Sequence, residues 1–267
     1  MPFALVTGAC SGIGRALASA LAARGYDLVI VSERRAPLEQ AARELTERSR
    51  RRIIPIVVDL ARPSAAEELH HAVAERAIPI DLLVNNAGMF FFGDVADASP
   101  TRANTMLQLH VVTPSLLCTL FGRDMRARRR GHILIVSSIS ALRDFPGIGY
   151  YGSSKKYLRG FARSLRSELG VYGVHVTCLL PGATATALYD PNVVPVELAQ
   201  KLGVMMSADA VAEAGLEALF AGRAECTPGL LTRVMGATAS VLPQSVVDLV
   251  RRRAPWLPPH AGKKPKP

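Results

Sequence analysis

Short apolar runs recur along this chain, each followed by a longer stretch with helical spacing. The Val-, Ile- and Leu-rich runs Phe3–Val6, Leu28–Val31, Ile53–Val58, Leu82–Val84, Ile133–Val136 and Val174–Leu180 do not alternate with polar residues. Strands of that kind belong to a sheet covered on both faces. Between them, Ile13–Arg24, Leu38–Arg48 and Ala65–Ala74 carry apolar residues three and four apart, the period of a helix with one buried face. Strand and helix units in alternation, joined by right-handed crossovers, predict an α/β fold: a doubly wound parallel sheet with helices on both faces. No internal repeat or linker interrupts the pattern, so residues 1–257 are expected to form a single domain. Beyond Pro181 the pattern loosens. Residues 183–206 read as a loop with a short helix, a helix is expected near Ala208–Phe220, and Pro228–Trp256 is apolar and partly helical. Residues 258–267, rich in Pro and Lys, read as a disordered basic tail.

Composition narrows the class. Hydrophobic residues make up 49% of the 267 and charged residues 20%, a globular balance. No run of 18 apolar residues is present, so no spanning helix is expected. The first strand begins at the N-terminus, which leaves no room for a signal peptide. Cys10, Cys118, Cys178 and Cys226 are scattered without metal-ligand spacing. They read as free thiols in a reducing compartment; a cytoplasmic location and no metal site are expected.

The formal net charge of +10 is concentrated in Arg48–Arg52, Arg126–Arg130, Arg251–Arg253 and the lysines of the tail. Such charge raises the question of a nucleic-acid partner, but no nucleic-acid-binding motif accompanies it. The first two runs end predicted helices just before a strand, where cations suit the helix dipole. No nucleic-acid partner is expected. Val246, Val247, Leu249, Val250 and Trp256 beside Arg251–Arg253 suit either a membrane surface or an oligomer interface. The oligomer explains them at least as well. A homodimer or homotetramer is expected, with membrane association the weaker reading.

The chemistry begins at Thr7-Gly8-Ala9-Cys10-Ser11-Gly12-Ile13-Gly14, directly after the first strand and opening the first helix. Glycine there permits a tight turn and lets backbone approach a pyrophosphate, whose charge rests on the helix N-terminus. The sheet is thus of Rossmann type, with a dinucleotide as cofactor. The spacing is GxxxGxG, and TGxxxGIG resembles the short-chain dehydrogenase/reductase family. Three further segments match that family in order: Asp59-Leu60 after the third strand, Asn85-Asn86-Ala87-Gly88 after the fourth, and Pro181-Gly182 with Thr184 and Thr186. The resemblance implies that Asp59 and Leu60 meet the adenine. It implies that Asn86, Ala87 and Gly88 border the cofactor, and that Pro181 to Thr186 contact the nicotinamide carboxamide. It covers Phe3 to Thr186 well and the remainder loosely.

The end of the second strand reads Val31-Ser32-Glu33-Arg34-Arg35. Relatives specific for NAD carry an acid at the position of Ser32, whereas those specific for NADP often carry Arg at that of Glu33. Glu33 suits a ribose hydroxyl, repels a phosphate, or pairs with arginine in solvent; Ser32 leaves space and Arg34 is close. NADP(H) is slightly favoured over NAD(H).

Tyr151-Gly152-Ser153-Ser154-Lys155 places a phenol and an ammonium at i and i+4 on one helix face, about 6 Å apart along the axis. A free tyrosine ionises near pKa ~10, and a neighbouring ammonium favours its phenolate. Ser138 lies where the fifth strand ends and can hydrogen-bond a substrate oxygen. Ser137 and Tyr150 are the adjacent alternatives: the family's separation favours Ser138, and the i+4 partner of Tyr150 is a serine. The resemblance gives Tyr151 the acid/base role and Lys155 a second role on the nicotinamide ribose. One departure stands out. Where the family carries Asn in the fourth long helix, this chain carries His110, which suits either a proton relay or a packed core residue.

Met89-Phe90-Phe91-Phe92, Phe145, Ile148, Leu188, Tyr189, Met205 and Met206 could line an apolar pocket, although core packing explains the Phe run equally well. Residues 183–206 are expected to close over the substrate. The chain therefore reads as an oxidoreductase that interconverts an alcohol and a carbonyl on a largely apolar small molecule. The alternative, resting on His110, is a non-catalytic NAD(P)-binding sensor.

Overall fold

The computed structural model describes residues 1–185 and 205–253. Seven parallel strands lie in the order β3-β2-β1-β4-β5-β6-β7. They are β1 (Phe3–Thr7), β2 (Asp27–Ser32), β3 (Ile53–Val57), β4 (Ile80–Asn85), β5 (Gly131–Val136), β6 (Val174–Leu179) and β7 (Glu225–Cys226). The helices are α1 (Gly12–Ala23), α2 (Arg35–Ser49), α3 (Ala65–Ala74), α4 (Pro100–Leu107), α5 (Thr113–Arg128), α6 (Gly149–Gly170), α7 (Ala208–Phe220), α8 (Leu230–Val241) and α9 (Gln244–Arg253).

Successive strand residues point to opposite faces, and both faces are buried. Phe3 and Leu5 of β1 join one core with Leu69, Leu117, Phe121 and Leu165 of α3, α5 and α6. Ala4 and Val6 join the other with Leu17, Leu21, Leu38 and Leu216 of α1, α2 and α7. This is the doubly wound sheet that the unalternating apolar runs predict.

The basic runs sit at helix ends as expected. Helices α2 and α5 stop at Arg50 and Arg129, in the left-handed region at φ 55° and 54°. Arginine in place of the usual glycine strains each cap by about 1 kcal/mol. Pro100–Arg128 runs without a break through a single π turn at Gln108–Val112. By length and hydropathy that stretch could cross a bilayer. Its apolar side, with Met106, Leu117, Phe121 and Met125, is nevertheless buried in the protein core. Strand β7 has no counterpart in the sequence expectation. It pairs with β6 over two residues, and its Glu225 is gripped by Arg159 and Arg163 of α6 at 2.9 and 2.6 Å.

Candidate functional site

The sheet order reverses between β1 and β4, and the crevice outside their carboxyl ends is where such sheets bind ligands. Thr7 closes the base of that crevice. Its Oγ1 donates to the Val84 carbonyl and accepts from the Asn86 and Ala87 amides, at 3.2, 2.9 and 3.0 Å. Asn86 returns the link: its Nδ2 donates to the carbonyls of Thr7 and Gly8, at 2.9 and 3.3 Å. These bonds tie the glycine loop to the loop that follows β4.

The glycine loop passes the test for an anion cradle. Gly8 and Gly12 have φ of 68° and 55°, which side chains disfavour. A Cβ on Gly14 would lie 2.2 Å from the Gly8 carbonyl oxygen, so the loop folds onto α1 only with glycine there. Ser11, the N-cap of α1, makes no side-chain cap, and the first turn carries no acid. The N-terminal amides of α1 are thus available to a pyrophosphate. Ile13 is half-buried and Ser11 exposed at this turn.

At the end of β2, the Ser32 hydroxyl accepts from the Arg34 amide at 3.2 Å, while the side chains of Glu33 and Arg34 are exposed. Arg35 pairs instead with Glu39, at 3.5 Å. Asp59 accepts from the Ala61 amide at 2.9 Å, and the Leu60 carbonyl takes the Thr113 hydroxyl at 2.8 Å. Pro181 holds the Ile139 amide at 3.0 Å, and Thr184 donates to the Gly182 carbonyl at 3.0 Å. Thr186, Leu188 and Tyr189 lie outside the described residues, as do Trp256 and the tail; of the 183–206 segment only its ends are seen, where Thr184 bridges Met206.

The two serines after β5 divide cleanly. Ser137 is buried and donates to the Lys155 carbonyl at 2.7 Å, which pins α6 to the sheet. Ser138 is half-buried, and its Oγ accepts only a local bond, from the Ser140 amide at 3.1 Å. Ser138 is therefore the serine with hydroxyl capacity left for a ligand. Tyr151 is half-buried in the first turn of α6, with the Phe90 ring edge-on at 5.0 Å and the His110 ring at 5.8 Å. Lys155 follows one turn later. Its ammonium lies 5.7 Å from the Tyr151 ring centroid and donates to the Val136 carbonyl at 3.1 Å. Burial pulls the Lys155 pKa down to about 8. Tyr150 instead packs against Phe91, at 6.2 Å.

His110 is only 1% exposed, and both ring nitrogens are engaged. Nε2 lies 2.9 Å from the Met89 amide, which can only donate, so Nε2 is the unprotonated nitrogen. Nδ1 then carries the proton and donates to Ser154 Oγ at 3.0 Å; Ser154 in turn donates to the Tyr151 carbonyl at 2.7 Å. Burial, reinforced by the Lys155 charge, holds the His110 pKa well below its ordinary value. Gly88 has to be glycine beside this ring, since a Cβ would lie 2.9 Å from Nε2. Neither Ser154 nor the Met89 amide is marked by any sequence motif; only the i, i+4 relation of Tyr150 and Ser154 hints that Ser154 faces inward.

The Phe run splits. Phe90 meets Tyr151, Phe91 is buried beneath the Arg102 guanidinium at 4.8 Å, and Phe92 packs on Gly147. Phe145 is exposed, Met205 buried and Met206 half-buried. Among the described residues no group of three metal-ligating side chains occurs.

A parallel sheet with an anion cradle at its reversal point, and a Tyr–Lys pair beside it, defines a dinucleotide-dependent α/β enzyme. The short chain dehydrogenase family profile matches residues 2–193, and the chain belongs to the short-chain dehydrogenase/reductase family of NAD(P)-dependent oxidoreductases. An uncharacterised oxidoreductase of Myxococcus xanthus is 33% identical over 250 residues, 94% of this chain and 96% of that one. A short-chain dehydrogenase of Sphingobium yanoikuyae, solved with NADPH, superposes with a TM-score of 0.79 at 26% identity, covering 92% of this chain and 98% of that one. The bulky-bulky ketone-specific alcohol dehydrogenase of Comamonas testosteroni gives a TM-score of 0.76 at 25% identity, covering 92% and 96%.

Proposed function

We propose that this protein interconverts an alcohol and a carbonyl on a largely apolar small molecule, with Tyr151 moving the proton. The observation that carries the reading is the placement of Tyr151 between a buried ammonium, Lys155, and an aromatic wall, Phe90. When bound, the nicotinamide ring supplies or accepts hydride at its C4. Ser138 hydrogen-bonds the substrate oxygen, and Tyr151 gives a proton to that oxygen or takes one from it. Lys155 lowers the energy of the phenolate through its charge, and its remaining N–H groups suit a ribose diol. Thr7, Gly8, Ser11, Gly12, Ile13 and Gly14 hold the pyrophosphate, with Asn86, Ala87 and Gly88 along its edge. Asp59 and Leu60 border the adenine, and Pro181, Gly182, Thr184 and Thr186 the carboxamide.

His110 acts in this scheme as a positioning residue. A relay through it would require Nε2 to take up a proton, which breaks the bond to the Met89 amide and sets a second cation near Lys155. Arg34 beside the small Ser32 favours NADP(H), and the NADPH-bound Sphingobium relative is consistent with that. Oligomer formation and a cytoplasmic location remain part of the same proposal.

The test is Tyr151→Phe with a panel of bulky ketones and both reduced cofactors. Turnover should fall by about 10²- to 10⁴-fold, the usual worth of a positioned acid/base, with the cofactor Kd unchanged. Full turnover by the variant would remove Tyr151 from its assigned role.

A further inference from the structure

Helix α8 touches the body of the protein through one narrow edge. Of its twelve residues only Thr232 and Gly236, one turn apart, are buried. Thr232 packs where a Cβ on Gly182 would come within 2.8 Å, and Gly236 where its own Cβ would meet Leu142 at 2.7 Å. Helix α8 therefore sits directly against the Pro181-Gly182 segment and the turn that follows Ser138, at the rim of the candidate site. Helix α9 is moored by buried Val247 and by the Arg143 guanidinium, which donates to Gln244 Oε1 at 2.8 Å.

The opposite side of this helix pair is apolar and open. Leu230 and Val241 are 76% and 79% exposed, and Leu231, Val234 and Met235 are exposed with them. At 100° per residue these five fall within one arc of about 140°, turned away from Thr232 and Gly236. Leu242, Val246 and Leu249, in the following turn and α9, are exposed as well. An exposed apolar helix face of this kind on a folded protein marks a place of interaction. The charge beside it selects the partner. Residues 230–253 hold four arginines (Arg233 and Arg251–Arg253) against one acid, Asp248. A second copy of this face would bring like charges together. A nucleic acid would leave the leucines in water. An anionic bilayer surface takes both, with the apolar arc in the acyl boundary and arginines among the headgroups.

We propose that the α8–α9 pair docks this protein on the surface of an anionic membrane. Docked this way, α8 alone separates the rim formed by Gly182 and Leu142 from the lipid boundary. On the oxidoreductase reading, the site then opens within a helix's width, about 10 Å, of a bilayer that dissolves an apolar alcohol or ketone. The docking itself does not depend on that reading, and its test uses no turnover.

The full-length protein is sedimented with vesicles of phosphatidylcholine alone and with vesicles of equal parts phosphatidylcholine and phosphatidylglycerol. It should pellet with the anionic vesicles at least tenfold more than with the neutral ones, and less as salt rises. The double variant Leu230→Glu/Val234→Glu should lose at least tenfold in vesicle partition. Val171→Glu, which adds an acid at a residue 70% exposed on the C-cap of α6, should bind like wild type, and circular dichroism should show all three folded. Wild type that stays in the supernatant overturns the proposal. Equal losses in the double variant and Val171→Glu would reduce the binding to bulk charge and overturn it as well. A fall in solution mass caused by the double variant, without vesicle binding by wild type, would make this face an interface between copies.

Discussion

Replacement of His110 separates positioning from proton relay, because its two ring nitrogens can be mimicked one at a time. Alanine removes the acceptor of the Met89 amide and the donor to Ser154 together. Each such bond is worth about 1 kcal/mol net, and an unpaired buried partner raises the loss, so His110→Ala should destabilise by about 2–4 kcal/mol. An asparagine amide falls near Nδ1 and can keep the bond to Ser154 while losing Met89. A glutamine amide reaches toward Nε2 and keeps Met89 while losing Ser154. Each should cost about 1–2 kcal/mol. Because the folded pKa of His110 is depressed, its neutral form supports the fold above the unfolded value of about 6.5, and that support is lost as pH falls below it. Neither amide titrates, so both variants should lose less stability than wild type on going from neutral to acid. Urea unfolding at two pH values measures this without a substrate. In turnover, His110→Asn and His110→Gln should each retain activity within about tenfold, with the wild-type pH profile. A relay requires the opposite: both amides inactive although folded and cofactor-bound, and an acid limb that vanishes with the imidazole. That result would falsify the positioning role.

Three further outcomes follow from the same geometry. Gly14→Val should fold poorly or bind neither NADH nor NADPH by fluorescence titration, since even its Cβ meets backbone at 2.2 Å; normal binding would place the dinucleotide elsewhere. Lys155→Met should be more stable than wild type at neutral pH. The folded pKa of about 8 lies below the unfolded value near 10.5, so wild type carries a burial penalty on the order of 3 kcal/mol below pH 8 that fades as pH rises toward 10.5. A stability gap independent of pH would mean that the ammonium is not desolvated. Arg34→Ala should raise the NADPH Kd by about tenfold or more and leave NADH alone, while Glu33→Ala tightens NADPH; the reverse pattern would assign NAD(H).

The strands β1 to β6 were legible because a sheet buried on both faces needs continuous apolar runs, and those runs stand out between polar helix faces. Strand β7 was not, because a two-residue edge strand has no periodicity. Its place is set from a distance by Arg159 and Arg163 on Glu225 and by the rungs to Cys178 and Leu179. The glycine loop and the pairing of Tyr151 with Lys155 were legible as candidates from spacing, since loop and helix geometry fix those intervals locally, whereas the choice of Ser138 over Ser137 came from the family resemblance alone. What His110 does was not. Its character depends on the Met89 amide, 21 residues away, and on Ser154, 44 residues away. The same holds for the Phe run, in which coil geometry sends three neighbouring rings to three different places.

What distinguishes the site from the framework is which polar groups the protein leaves for something else. Thr7, Asn86, Thr113, Ser137 and Ser154 lie at the same edge of the sheet, and each has a hydroxyl or amide committed to backbone. Ser137 and Ser138 are chemically identical neighbours, yet only Ser137 is bonded to α6. Lys155 has three N–H groups, and the Val136 carbonyl accounts for one. The amides that open α1 have neither a cap nor an acid. The Ser138 O–H and the α1 amides are open to solvent rather than paired within the chain, and Lys155 is buried with two N–H groups beyond its bond to Val136, so these are the groups that the proposed function assigns to a ligand. On the proposed function the α1 amides would meet a pyrophosphate, Lys155 a ribose and Ser138 a reacting oxygen.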